Sequence, residues 1–318
     1  MMRETSRALW SRAAAVGLAL SVAVACGGNE PAAPSETPAE SAPSAGGAAP
    51  DTPELFAEGV ISTDAPEFAT AFTPDGSAVY FNRTTPDGRG LSIYRAVRYG
   101  DGWAEPLPAP FAGDSRDPDP FVSFDGRRIY FSSNRALPDE TGDAASDFDL
   151  WYVERDGDTW GAPVNLTSLN SPAQEVFASL TRDGAIYFAS NRGKSVDIYT
   201  AGPGVNGGFG DPQLLPAPVN SDEDDENNPL IAPDGSFLIF SSARDGGQGD
   251  MDLYVSFNQD GTWTAPKNLG PTVNSEASES APALSPDGTV LYFTSSRRGA
   301  GGDIYRIALT AALQGLRP

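Results

Sequence analysis

Five stretches of the chain share one pattern. Each has a β-prone run, an Asp-Gly step, and then a short run of aromatic and branched residues. The turn segments are Thr73-Pro74-Asp75-Gly76, Ser123-Phe124-Asp125-Gly126, Thr181-Arg182-Asp183-Gly184, Ala232-Pro233-Asp234-Gly235 and Ser285-Pro286-Asp287-Gly288. The runs that follow are Val79-Tyr80-Phe81, Ile129-Tyr130-Phe131, Ile186-Tyr187-Phe188, Leu238-Ile239-Phe240 and Leu291-Tyr292-Phe293. Asp-Gly between β-prone runs signals a hairpin, because Gly accepts the positive φ that the turn requires. The steps fall 50, 58, 51 and 53 residues apart, which points to a propeller or another repeat architecture.

Four strands are predicted per repeat. The first precedes the turn, as in Phe68 to Phe72 or Ala281 to Leu284, and the second is the aromatic run. The third holds Ser92-Ile93-Tyr94, Asp149-Leu150-Trp151, Asp197-Ile198-Tyr199, Asp252-Leu253-Tyr254 or Asp303-Ile304-Tyr305. The fourth follows an aromatic and a proline: Trp103 and Pro106, Trp160 and Pro163, Phe209 and Pro212, Trp263 and Pro266. Proline suits the start of an outermost strand, which needs fewer ladder donors. The tryptophans are expected to pack between blades.

The fifth repeat lacks its fourth strand. Thr52 to Phe56 with Val60-Ile61-Ser62-Thr63 matches Ala265 to Leu269 with Val273-Asn274-Ser275. The N-terminal strand is therefore expected to complete the last blade and remove the exposed sheet edges. The fold class is all-β: a five-bladed β-propeller of four-stranded antiparallel blades over residues 52–310, with a tail at 311–318. The repeat resembles the WD40-like repeat of TolB-type propellers across this whole region. Phe124 and Arg182 depart from it where the proline stands, Ser92 where the aspartate stands, and Phe209 where the tryptophan stands.

Residues 1–25 read as a signal peptide, with Arg3, Arg7 and Arg12 before an apolar run too short to span a bilayer. Val22-Ala23-Val24-Ala25-Cys26 resembles a bacterial lipobox, which implies lipidation at Cys26, the only cysteine. Gly27 fits sorting to the outer membrane under the rule for such lipoproteins. Residues 26–51, rich in Pro, Ala, Ser and Gly, read as a disordered tether. The expected location is the cell envelope, as an outer-membrane lipoprotein facing the periplasm or the surface, attached through the lipid alone.

The formal net charge is −22, and removing residues 1–25 with their three Arg and one Glu makes it −24. Such acidity argues against nucleic acid and anionic membrane surfaces. With no histidine in the chain, His triads, His metal ligands and His switches are excluded.

Charged residues recur in register with the turns. Glu67, Asp117, Glu175, Glu226 and Glu279 stand eight residues before each turn aspartate. Arg83, Arg135, Arg192, Arg244 and Arg297 stand eight to ten after it, and Asp149, Asp197, Asp252 and Asp303 open third strands. Hairpin geometry brings all three groups to one face, with the first carboxylates expected nearest the channel. They could form structural pairs that fix loops, or a ring that grips a cation, a basic peptide or a sugar.

Two features break the symmetry. Asp222, Asp224 and Asp225 could hold Ca²⁺ weakly, although the stretch lacks the ordered spacing and central Gly of a calcium loop. A blade-two insertion, 136–146, is expected to project on the same face. Two functional readings remain open. One is a non-enzymatic, monomeric binding or scaffold module for an envelope protein or a cell-wall glycan or peptide, needing no cofactor. The other is a glycoside hydrolase or glycan-binding propeller that uses channel carboxylates.

Overall fold

The computed structural model describes residues 49–85, 90–137, 147–299 and 301–318. The signal segment, Cys26, the tether up to residue 48 and most of the blade-two insertion lie outside the described residues.

Five antiparallel sheets follow one another along the chain. Blade one runs through Glu67–Phe72, Ala78–Thr84, Leu91–Tyr99 and Leu107–Pro108. Blade two is Phe121–Val122, Arg128–Ser133, Asp149–Asp156 and Val164–Asn165. Blade three is Glu175–Leu180, Ile186–Ser190, Asp197–Ala201 and Gln213–Leu214. Blade four is Glu226–Ile231, Phe237–Ser242, Asp252–Gln259 and Lys267–Asn268. Blade five is Glu279–Leu284, Val290–Ser295 and Asp303–Ala308. The expected five-bladed, all-β propeller is the observed fold, and the Asp-Gly glycines take φ between 65° and 93°.

The ring closes as the repeat count requires. Glu54–Leu55 pairs antiparallel with the third strand of blade five, Glu54 opposite Arg306 and Leu55 opposite Tyr305. Phe56 follows, buried against Phe72, Trp103 and Tyr292 at 4.9–5.9 Å between ring centroids. The apolar core is divided into five clusters, each filling the gap between neighbouring blades. Trp103 and Trp160 belong to these gaps, Trp160 packing on Tyr80 and Phe111. The segment expected as a tail is partly structural. Leu309–Ala312 forms one helical turn, and Leu309, Ala312 and Leu313 are buried in the cluster between blades four and five.

Every innermost strand carries a kink that the sequence pattern does not announce. Ala69, Asp119, Phe177, Asn228 and Ala281, each six residues before a turn aspartate, have φ between 46° and 62°. The ladder to the second strand shifts register there in blades one, three, four and five. In blade two it contracts to Phe121–Val122. Pro118 and Pro120 flank the kink in that blade and offer no ladder donors. Three of the five left-handed N–H groups are capped from the preceding blade: Asn82 Oδ1 accepts from Asp119, Ser132 Oγ from Phe177, and Thr294 Oγ1 from Ala69. Blade three has Ala189 at that position, and Asn228 turns to Asn227 Oδ1 instead.

Candidate functional site

The repeated charges form a buried lattice. Arg83, Arg135, Arg192, Arg244 and Arg297 pair with Glu67, Asp117, Glu175, Glu226 and Glu279 at 2.8, 2.8, 2.9, 2.6 and 3.1 Å, and all five carboxylates are fully buried. Each guanidinium also lies over aromatic rings of the second and third strands. Arg244, for example, covers Phe240 at 5.1 Å and Tyr254 at 5.3 Å. The Tyr-Phe and Asp-Ile-Tyr phrases of the repeat thus form the seat of the arginine.

Each carboxylate is held from the other side by the loop entering its blade. Thr63, Ser171 and Ser275 donate both backbone N–H and hydroxyl to Glu67, Glu175 and Glu279 at 2.6–2.9 Å. In blade four the loop is one residue longer, and Ser221 Oγ reaches Glu226 only at 3.3 Å. Burial there lifts the Glu226 carboxyl above its ordinary pKa despite the Ser221 N–H and Arg244. Glu67, Glu175, Glu226 and Glu279 open the innermost strands of their blades. Their oxygens are turned into the blade by the loop donors and the arginine, and none of the five lines the central cavity.

The third-strand aspartates serve neighbouring loops. Asp149 and Asp252 accept from Asn165 and Asn268 of the outer strands, both at 2.8 Å, and Asp197 accepts from Ser195 at 3.1 Å. Burial raises Asp197, with Asp225 and Asp222 adding to it. Burial also raises Asp303, with Glu58 and Asp64 adding to it against Arg298. Asp225 accepts from the Val196 N–H at 2.8 Å and Asp224 from Ser221 Oγ at 3.4 Å. Among the described residues, no three acidic or cysteine side chains converge to hold a metal ion. Asp222, Asp224 and Asp225 therefore do not form the cluster considered for calcium.

The cavity lies along the central channel, has a volume of about 190 Å³, and is lined by the innermost strands of all five blades. At its rim stand Pro74, Phe124, Arg182, Pro233 and Pro286, one from each Asp-Gly turn. Within the lining Asp119 is the one carboxylate among the described residues. Its Oδ2 accepts from Ser132 Oγ at 2.9 Å, and its Oδ1 has no partner. Burial pushes its pKa up to about 7, against the hydrogen bond from Ser132. Sequence reasoning missed Asp119 and Phe177. Their shared offset from the turn aspartate was the signal, and they matter because of the kink.

No family model and no curated protein matches the chain. Solved structures do. A thermostable family-43 glycoside hydrolase is 14% identical, over 78% of this chain and 90% of that one, with a TM-score of 0.52. The alpha-L-arabinofuranosidase from Lactobacillus brevis is 12% identical, over 78% and 92%, with a TM-score of 0.51. A putative TolB from Agrobacterium tumefaciens is 21% identical, over 73% and 71%, with a TM-score of 0.49. At these identities the likeness is one of fold.

Proposed function

We propose that the chain is a non-enzymatic binding module of the bacterial cell envelope, tethered through Cys26, which presents its acidic loop face to a cationic segment of an envelope protein. The observation that carries this reading is the relation between the buried lattice and the loop tips. In four of the five entering loops the residue after the lattice cap is an exposed acid: Asp64, Asp114, Asp222 and Glu276. The lattice holds these loops in place, so the acids stand as a fixed negative rim that costs little ordering on binding. Complementary charge of this kind favours fast, salt-sensitive association. In the hydrolase reading two carboxylates must flank the scissile bond roughly 5–10 Å apart. The lattice acids are sequestered, and Asp119 has no second carboxylate beside it among the described residues lining the channel.

The test is site-specific photocrosslinking in intact envelopes from position 172, an exposed proline at the uncharged fifth loop tip. One discrete protein adduct is expected. It should be lost at high salt and in a variant with Asp64→Asn, Asp114→Asn, Asp222→Asn and Glu276→Gln that melts as the wild type does. An adduct that ignores both changes, or no adduct, rejects the reading.

A further inference from the structure

The channel is five-fold in backbone, but the charged residues of its lining, Asp119 and Arg182, both fall in blades two and three. Two of the repeat positions that line it are the left-handed kink and the residue before the turn aspartate. Blades one, four and five place Ala69, Asn228 and Ala281 at the kink, with Pro74, Pro233 and Pro286 at the rim. Blades two and three, which are neighbours, depart at both positions, with Asp119 and Phe124 in one and Phe177 and Arg182 in the other.

Phe124 packs edge-on against Phe121 at 6.0 Å, while the other three departures each leave something unused by the fold. Phe177 holds φ 55°, a conformation that costs a non-glycine residue energy. Its half-buried ring joins none of the five core clusters and has no ring partner among the described residues. The Arg182 side chain is exposed and lies over the Phe124 ring at 4.8 Å. Unlike the five lattice arginines, it has no carboxylate partner among the described residues. Its backbone is fixed by a 2.8 Å bond to the Pro233 carbonyl. Asp119 adds the partnerless Oδ1 inside the same wall.

We propose that this wall binds a small amphiphilic carboxylate, its head on Arg182 at the rim and its apolar body against Phe124 and Phe177 inside the channel. A guanidinium offers a planar fork that matches a carboxylate, and its seat on Phe124 pre-orients it. The volume of about 190 Å³ holds roughly six water-sized groups, enough for an aromatic ring or a short alkyl chain. Asp119 sets the direction. It stands five residues up the strand from the rim residue Phe124, at most about 16 Å, and an anionic head placed there would meet a second carboxyl in a dry wall. The site lies at the turn end of the blades, away from the acidic loop rim, and does not depend on that rim's function.

Titration calorimetry of the full chain with octanoate, octanol and octylamine tests the proposal. Octanoate is expected to bind one per chain, octanol at least about tenfold more weakly, and octylamine not at all. Arg182→Gln should reduce octanoate to the level of octanol with the melting temperature nearly unchanged, since the exposed side chain makes no hydrogen bond or ion pair among the described residues. Phe177→Ala should weaken octanoate and octanol alike. Neutralising the four loop-tip acids should leave octanoate binding as it was, which separates this site from the envelope-binding face. Octylamine binding as well as octanoate would make Asp119 the anchor and overturn the proposal. So would an Arg182→Gln variant that binds normally, a Phe177→Ala variant with unchanged affinity, or a wild type that ignores octanoate.

Discussion

Asp119 shows how one buried carboxyl couples the fold to pH. Below about pH 4, the ordinary carboxylate range, it is protonated in both the folded and unfolded chain and contributes no difference. As pH rises towards 7 the unfolded chain releases the proton while the fold, with the pKa held at about 7, retains it. Stability therefore falls across this window and is constant above it. The penalty at about pH 8 is up to about 4 kcal/mol, an order of magnitude set by the size of the shift. Asn228 already fills the same repeat position in blade four, accepting from Ser241 Oγ at 2.6 Å. Asp119→Asn should accordingly raise the denaturant midpoint at about pH 8 and leave it unchanged at about pH 4; a gain of equal size at both would show that ionisation is not its cause. The lattice carboxylates differ from Asp119 in having a cationic partner. Arg244→Met strands the fully buried Glu226 and should cost about 3–5 kcal/mol. Adding Glu226→Gln should recover much of that loss, and a double-mutant cycle on urea midpoints measures the coupling.

At the scale of the element, the blades are fastened by side chains more than by long outer strands, which have only two paired residues each. Where the outer strand ends, one residue grips the third strand in four of the five blades; blade one has Ala112 at that position. Asn170 bonds both the N–H and the carbonyl of Leu150, Asn220 those of Ile198, Asn274 those of Leu253, and Ser62 those of Ile304. The grip, the preceding carbonyl that takes the arginine, and the following lattice cap form one triplet, as in Val273-Asn274-Ser275. Asn274→Ala leaves the buried Leu253 N–H unpaired, while the Leu253 carbonyl keeps the Leu269 N–H at 2.9 Å, and is expected to cost about 1–3 kcal/mol by denaturant melting. A loss no larger than for exposed Asp260→Ala would mean that water replaces the grip. The turns, the strand order and the closing strand were legible because hairpin chemistry and period-two patterning act locally. The pairing of the carboxylates with the arginines was legible as an alternative. Their burial was not, because a left-handed residue in each inner strand resets which side chains face the channel. Alternation cannot be counted through Ala69 or Phe177, and this is why Asp119 passed unnoticed.

At the scale of the whole molecule, the ring stands or falls on a join between its two chain ends. The closing strand contributes only Glu54 and Leu55 to the ladder, so Phe56 carries much of the join. It lies between blades five and one, on Tyr292 at 4.9 Å and on Phe72 at 5.9 Å, with its N–H donating to the Ile304 carbonyl at 2.8 Å. Phe56→Ala should cost about 3–5 kcal/mol as a large-to-small core change. It should also release the short strand and expose the edge of Asp303–Ala308, whose free donors and acceptors can pair with another chain. Phe131→Ala supplies the comparison, since Phe131 is equally buried but lies within the second strand of blade two, away from the join. Both variants are expected to melt at lower temperature by a similar amount. Only Phe56→Ala should self-associate at temperatures well below its melting point, with a mass by light scattering that rises with protein concentration. If both variants remain monomeric until they unfold, the closing strand stays docked without its phenylalanine, and the join is held by the Glu54–Leu55 ladder and the Ser62 grip instead.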